Sequence, residues 1–438
     1  MTTSLEGKTF SVITYGCQMN KHDSERIVGM LTSLGALEVD TIEDSEIVVF
    51  MTCCVREAAD VRLRGQVASM KNIPLPEASN LHKRIIAIGG CIGQRDAEKL
   101  IDDLPHVDVV FGTFNLASIT RLLDETINTH NPCVEVLSAA DEFPTNLPSK
   151  REHPWSAWLP ISIGCNNFCT YCLIPFARGR IRSRKKENVI EEVKKIAEKG
   201  IKEIVITGIH IASYGKDFDN NYRLIDLLED LDKIDGIERI RLGSLEPTIV
   251  TKEFAERLSK LDSICNQFHL SLQSGCDETL KRMNRKYSCD EFFKVTEILR
   301  EYFKDVNLTT DIIVGFPGET NEEFESTYEF LSKIKFYKMH IFKYSPREGT
   351  LAAKMTNQID GNIKEERSQK LIELSNKNER ECNEKYIGKS VEVLFEEEKD
   401  GLWSGYTKNY VRVFVESDES LENKILKVEI KDVYELRA

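Results

Sequence analysis

The sequence contains no apolar run approaching the roughly 20 residues that cross a bilayer. Its first residues, Met1-Thr2-Thr3-Ser4-Leu5-Glu6-Gly7, carry neither a basic stretch nor a hydrophobic one. Neither a membrane-spanning helix nor a secretion signal is expected, and a soluble, cytoplasmic protein is. There is no internal repeat at solenoid spacing and no low-complexity tract. Positive charge is in deficit as well: 59 Lys and Arg against 72 Asp and Glu give a net charge of −13. That balance excludes a uniformly basic nucleic-acid binder but leaves room for a local basic path.

Cysteine, by contrast, is plentiful, with twelve in 438 residues. In a chain this long without an export signal, thiols stay reduced, so the disulfide reading is weak and metal or cluster ligation is the stronger one. The length calls for two or three domains. Residues 8–128 alternate short apolar strands (Phe10–Thr14, Glu46–Met51, Arg84–Ile88, Asp108–Phe111) with helical patterns at Ser24–Leu34 and Asp96–Leu104, which predicts a parallel α/β domain. Ala139–Pro154, with three prolines among polar residues, reads as a linker. Over 151–381 six further strands are expected, at Leu159–Ile163, Glu203–Thr207, Arg239–Gly243, Phe268–Leu272, Thr309–Val314 and Met339–Tyr344. Helical segments separate them, as Val189, Ile190, Val193, Ile196 and Ala197 do on one face of Lys186–Lys199, so a partial or full parallel barrel is predicted. From 384 to 438 short alternating strands around Val391–Phe395, Val411–Val415 and Val428–Ile430 predict a small antiparallel barrel.

Cys165, Cys169 and Cys172 form C-x-x-x-C-x-x-C directly after the first barrel strand. Three thiolates at this spacing can ligate three irons of a cuboidal cluster and leave the fourth open, free to chelate the amino and carboxylate groups of S-adenosylmethionine. A zinc site would need a fourth protein ligand at a paired spacing, and none is near. Cys17, Cys53 and Cys91 each fall just past the end of an N-terminal strand. In a parallel sheet those ends share one edge, so the three predict a second thiolate site. Cys54 adjoins Cys53 but should point to the other side of an extended chain. Cys133, Cys265, Cys276, Cys289 and Cys382 have no partner spacing and read as packing residues.

These features resemble the radical S-adenosylmethionine superfamily and, within it, the methylthiotransferase family. The matching stretches are Thr14-Tyr15-Gly16-Cys17-Gln18-Met19-Asn20, His22-Asp23-Ser24-Glu25, Thr52-Cys53-Cys54-Val55-Arg56, Gly89-Gly90-Cys91 and Gly164-Cys165 through Tyr171-Cys172. The family pattern has Asn before Thr-Cys where this chain has Met51. The resemblance implies a flavodoxin-like N-terminal domain, a radical S-adenosylmethionine (βα)6 partial barrel and a C-terminal TRAM module. It implies two 4Fe–4S clusters, on Cys17/Cys53/Cys91 and on Cys165/Cys169/Cys172. It also implies S-adenosylmethionine contacts from Tyr171, Thr207, Gly208, Gln273 and Ser274, and from the Gly-rich Ile312–Glu319 stretch. An electron entering the second triad's cluster would cleave S-adenosylmethionine to a radical that abstracts hydrogen, and the auxiliary cluster would deliver sulfur. So reactive a species has to be shielded from water.

For the substrate, Arg178, Arg180, Arg182, Arg184, Lys185 and Lys186 make a basic run suited to phosphates of a tRNA anticodon arm, although a charge run is also an ordinary solvated face. Trp403, Tyr406 and Tyr410 beside Lys408 and Arg412 would suit base stacking. Against that, residues 384–437 hold nine Lys/Arg and thirteen Asp/Glu, a balance of −4. The front of the chain resembles enzymes acting on isopentenyladenosine at tRNA position 37. From Arg178 onward, including Thr207–Gly215, Arg282–Tyr287 and Lys343–Arg347, it resembles those acting on threonylcarbamoyladenosine. The latter is the expected substrate, methylthiolated at carbon 2. The alternatives are isopentenyladenosine, an aspartate of a ribosomal protein, and a non-enzymatic electron carrier. His210 reads equally as a pocket residue or a structural histidine. A reductant such as flavodoxin or ferredoxin and action as a monomer complete the expectation.

Overall fold

A computed structural model describes residues 3–54, 57–138 and 147–432; of the segments read from the sequence, 139–146 of the linker, Val55-Arg56 and 433–438 of the tail lie outside these. The chain divides into two compact units. The first comprises Met1–Glu152, Ser162–Asn167 and Leu173–Arg184, and the second comprises His153–Ile161, Phe168–Cys172 and Lys185–Ala438.

In the first unit, β1 (Thr9–Tyr15), β2 (Leu37–Glu38), β3 (Ile47–Thr52), β4 (Ile85–Gly90), β5 (Val109–Phe111) and β6 (Cys133–Glu135) form a sheet in the order β2-β1-β3-β4-β5-β6. Among the described residues all the pairings in this sheet are parallel. Because side chains alternate along a strand, Ile47, Val49 and Met51 bury on one face with Ile27 and Leu31, while Val48 and Phe50 bury on the other with Leu63 and Val67. Burial on both faces explains why these strands read as continuous apolar runs. Several boundaries differ from expectation. The first helix spans Gln18–Ser33 because the Asn20 side chain turns back on the Cys17 N–H and caps it six residues earlier than the apolar pattern begins. The helix expected over Asp96–Leu104 is two, Cys91–Asp96 and Lys99–Asp103, broken where Ala97 takes a φ of 43°. Helices Glu57–Met70 and Ile119–Thr129 were not anticipated.

The next strand, β7 (Ser156–Ile163), ends in the first unit, where Ser162 and Ile163 pair antiparallel with β8 (Arg182–Ser183). In the second unit β9 (Glu203–Gly208), β10 (Arg239–Leu242), β11 (Gln267–Gln273), β12 (Asn307–Val314) and β13 (Lys338–Lys343) continue the series. β9–β10, β11–β12 and β12–β13 pair in parallel, and parallel bridges at Ile240–Ile264 and Leu245–Leu270 join the two groups. The result is a partial barrel of parallel strands, as expected. Phe268, Leu270 and Leu272 pack outward into the helix-covered core, and His269, Ser271 and Gln273 lie on the half-buried inner face.

The tail forms an antiparallel sheet of β14 (Ser390–Lys399), β15 (Leu402–Thr407), β16 (Arg412–Glu416) and β17 (Ile425–Glu429), in the order β16-β15-β14-β17. It is tied to the barrel by Arg239, which is fully buried and donates to the carbonyl oxygens of Tyr406 (2.6 Å) and Glu392 (3.4 Å). The Arg241 guanidinium lies 3.8 Å over the Tyr410 ring, which stacks on Tyr406 at 4.2 Å, and Lys408 donates to the Asp262 carbonyl oxygen. Trp403 packs against the sheet's own core. Trp403, Tyr406, Tyr410 and Lys408, the aromatic and basic residues expected to stack on RNA, are thus half-buried and engaged in packing on one side. Among the described residues no helix is long and apolar enough to cross a membrane.

Replacing the buried Arg239 by Met leaves the Tyr406 and Glu392 carbonyl groups without their charged donor, at a cost of about 2–4 kcal/mol. Arg239→Met should lower the thermal midpoint and expose the segment near residue 388 to limited proteolysis. An unchanged midpoint and digestion pattern would show that the anchor contributes nothing.

Candidate functional site

A sheet of order 2-1-3-4-5 has its switch point between the strands numbered 1 and 3, and ligands collect there beyond the strand ends. Cys17 and Cys53 follow the two strands that flank this point, β1 and β3, and Cys91 follows the next, β4. Cys53 and Cys91 are buried, and Cys17 is exposed as a residue although protein surrounds its sulfur. The thiols meet. A hydrogen bond from Cys53, opposed by burial and aided by the charge of Arg178, pulls the Cys17 thiol down to about 5. A hydrogen bond from Cys54 does the same for Cys91, which falls to about 6, again against burial and with help from Arg178. Asn20 braces the group by donating to the Thr52 carbonyl oxygen at 2.9 Å, with its own side-chain oxygen 3.3 Å from Cys17 Sγ. Gly90 before Cys91 has a φ of 84°, and a Cβ there would press on the Thr52 carbonyl oxygen at 2.6 Å. Soft thiolates gathered at one edge fit an iron–sulfur cluster.

Cys54 departs from expectation. Its thiol is turned to Cys91 rather than away, and the hydrogen bond to Cys91 together with burial pushes its own pKa up. β3 ends at Thr52, so the alternation of the strand does not govern Cys54.

Arg178 also departs from it. The side chain is buried, its Nε donates to Cys91 Sγ at 3.3 Å, and its Nη2 pairs with Asp23 at 3.2 Å. It is not available to a phosphate. Arg184 is likewise buried, and the Arg182 guanidinium sits 4.9 Å over the Phe114 ring. Of the four arginines in the run only Arg180 is exposed. Asp23 and Asn20 carried no role in the sequence reading, although both lie in stretches that resemble the family.

Cys165 belongs to the first unit, buried behind Gly164, whose φ of 78° lets the chain pass against the Arg180 carbonyl. Its N–H donates to the Gly179 carbonyl oxygen at 3.0 Å. Cys169 and Cys172 belong to the second unit, where the Cys172 N–H donates to the Cys169 carbonyl oxygen at 3.0 Å. Arg285 is the group that sequence reasoning missed here. It donates to Cys169 Sγ (3.4 Å), the Ser271 carbonyl oxygen (2.9 Å) and the Tyr287 hydroxyl (2.8 Å). The only signal was its place in the Arg282–Tyr287 stretch.

Tyr171 packs in a small cluster with Phe316, Tyr344 and Met283, and burial, then the nearby Cys169, pushes its hydroxyl up. Thr207 is buried at the end of β9, and Gly208 is half-buried. Gln273 ends β11 at a φ of 77° where the register shifts. Ser274 is fully buried; its hydroxyl accepts from the Cys276 N–H and sits 3.4 Å from the Thr327 hydroxyl, so it acts in a turn rather than on a ligand. Glu319, closing the Gly-rich stretch, accepts from the Gly315 N–H (2.6 Å) and pairs with buried Arg367 (2.7 Å). His210 is held between Ser213 (2.7 Å) and Glu246 (3.1 Å). Burial opposes the Glu246 charge, but the His210 hydrogen bond and Arg285 keep that carboxyl down at about 2. On the barrel's inner face His269 Nε2 lies 3.2 Å from Asp311, and the His340 ring is 5.9 Å from that of His269.

Residues 159–331 match the Radical SAM superfamily, residues 9–112 the Uncharacterized protein family UPF0004, and residues 384–436 the TRAM domain. A tRNA-2-methylthio-N(6)-dimethylallyladenosine synthase of Thermoanaerobacter sp. (strain X514) is 40% identical over 429 residues, covering 97% of this chain and 90% of the relative. One of the same name from Acetivibrio thermocellus is 38% identical over 431 residues, covering 97% and 89%. Among solved structures, the radical S-adenosylmethionine methyltransferase TsrM of Kitasatospora setae has a TM-score of 0.56 at 12% identity, covering 79% of this chain and 77% of that one, a likeness of fold. With near-full-length identity of this order, the chain belongs to the radical S-adenosylmethionine methylthiotransferase family, an enzyme family whose cofactors are S-adenosylmethionine and 4Fe–4S clusters.

Proposed function

We propose that this chain adds a methylthio group to carbon 2 of N6-dimethylallyladenosine at tRNA position 37. The observation that carries this reading is the span of the match: relatives named for that product align through barrel and tail as well as the front, at 40% identity over 97% of the chain. The expectation of threonylcarbamoyladenosine drew on the part of the chain from Arg178 onward, and the same relatives cover that part too. In this reading Cys17, Cys53 and Cys91 hold the auxiliary cluster, and Cys165, Cys169 and Cys172 hold the second. Bound there, the clusters supply the electron that cleaves S-adenosylmethionine and the sulfur that is transferred. Arg180 remains a solvent-facing cation for tRNA phosphate. The enzyme works as a cytoplasmic monomer reduced by flavodoxin or ferredoxin.

One observation favours threonylcarbamoyladenosine as a second reading. His269, Asp311 and His340 form a polar group on the barrel's inner face. A carboxylate, hydroxyl and urea would satisfy such groups and a hydrocarbon would not. Purified protein given separate tRNAs carrying each modification, at one salt concentration, should methylthiolate the dimethylallyl tRNA. Turnover confined to the threonylcarbamoyl tRNA would overturn the first reading in favour of the second, and turnover of neither would defeat both.

Anaerobically reconstituted protein should carry about eight irons. Changing Cys165, Cys169 and Cys172 to Ala should remove about half, and so should changing Cys17, Cys53 and Cys91. Full iron in either triple variant would refute that triad. Cys54, protonated and donating to Cys91, is outside the ligand set. Cys54→Ser keeps a hydroxyl donor and should retain its iron, whereas Cys53→Ser should lose the auxiliary cluster; the opposite pattern would exchange their roles.

A further inference from the structure

The basic run after the second triad contains a buried residue whose guanidinium turns to a cysteine of the first. Arg178 is 4% exposed, and its guanidinium reaches in two directions, to Cys91 Sγ at 3.3 Å and to the Asp23 carboxylate at 3.2 Å. Asp23 lies on the helix Gln18–Ser33, which Cys17 caps, and Cys91 follows β4. The next residue, Gly179, accepts the Cys165 N–H through its carbonyl oxygen. One dipeptide therefore touches a thiol of the first triad with its side chain and the backbone of the second triad's first cysteine with its carbonyl. A guanidinium taken out of water is costly unless anions meet it. Here the Asp23 carboxylate and the Cys91 sulfur do so.

We infer that Arg178 is a positioning residue that holds the Cys91 thiolate toward the auxiliary cluster and raises that cluster's reduction potential, with Asp23 as the counter-charge that limits the rise. The inference rests on the proposed ligation by Cys17, Cys53 and Cys91. The physical basis is direct. Reduction adds negative charge to the cluster and its sulfurs, so a hydrogen bond and a positive charge at a ligand sulfur favour the reduced state. The Asp23 carboxylate, paired with Nη2 of the same guanidinium, withdraws part of that effect. Arg178 and Asp23 are then opposed: removing the cation should make the cluster harder to reduce, and neutralising the carboxylate should make it easier. A purely structural role, or a role in tRNA binding, predicts no such opposition of sign.

The test uses the full chain with Cys165, Cys169 and Cys172 changed to Ala, reconstituted so that only the auxiliary cluster is present. An EPR-monitored redox titration gives its midpoint. Arg178→Gln should shift the midpoint downward, Arg178→Lys should restore part of the loss, and Asp23→Asn should shift it upward, each with iron content unchanged from the parent. Unshifted midpoints, or Arg178→Gln and Asp23→Asn moving in the same direction, would overturn the inference. Where Arg178→Gln fails to hold iron, Asp23→Asn alone decides it by the sign of its shift. Absence of any cluster in the parent would instead refute the ligand assignment, so the two failures are distinguishable.

Discussion

Thiols at the carboxyl edge of a parallel sheet become thiolates only where hydrogen bonds and positive charge outweigh the burial that opposes ionisation. That constraint governs the first unit. The sheet order puts Cys17 and Cys53 on the two strands flanking the switch point and Cys91 on the strand beside them. Asn20 fills the gap between the first two by bonding to the Thr52 carbonyl. Arg178 brings the charge from a segment far away in sequence. Met51, where the family has Asn, is buried in the opposite core and takes no part. The polar contact at this point comes from the helix that follows β1.

A similar solution recurs in the second unit with different elements. Arg285 reaches Cys169 from the loop after helix Asp277–Arg282 and is itself held by Tyr287 and the Ser271 carbonyl. Each unit thus contributes a guanidinium bonded to one cysteine sulfur of its own. Arginine suits this position better than lysine, because a planar fork can satisfy a sulfur and an oxygen at once and keeps its charge when buried. The acidic tail is used differently. Tyr410 and Lys408 meet the barrel, where Arg241 lies over the Tyr410 ring and Arg239 bonds to the Tyr406 carbonyl, so its net negative charge is no obstacle to packing.

The sheet and barrel strands were legible because burial on both faces produces apolar runs whose position does not depend on anything distant. The weaker elements were not. Helix Glu57–Met70 is rich in charged and small residues and shows little apolar periodicity, and β15 is interrupted by Ser404 and Gly405 where the backbone of β14 comes close. The cysteine spacing was legible for a similar reason, since strand ends mark the sheet edge. Cys54 differs from expectation because alternation does not hold two residues past the end of β3.

What the sequence by itself determined is the order of parallel elements, the two cysteine triads and the family they resemble. These depend on local periodicity and on spacing along the chain. What only the tertiary structure decided is which charged groups serve those cysteines. Arg178 read as one of several cations in a run suited to tRNA phosphate, and Asp23 carried no role. They are 155 positions apart, and no local pattern distinguishes a buried guanidinium from an exposed one. The distinction arises when the segment after the second triad folds back on the first sheet and water is excluded from the space between them. Once water is gone, the guanidinium has to find its anions within the protein, and only the fold determines which ones are in reach.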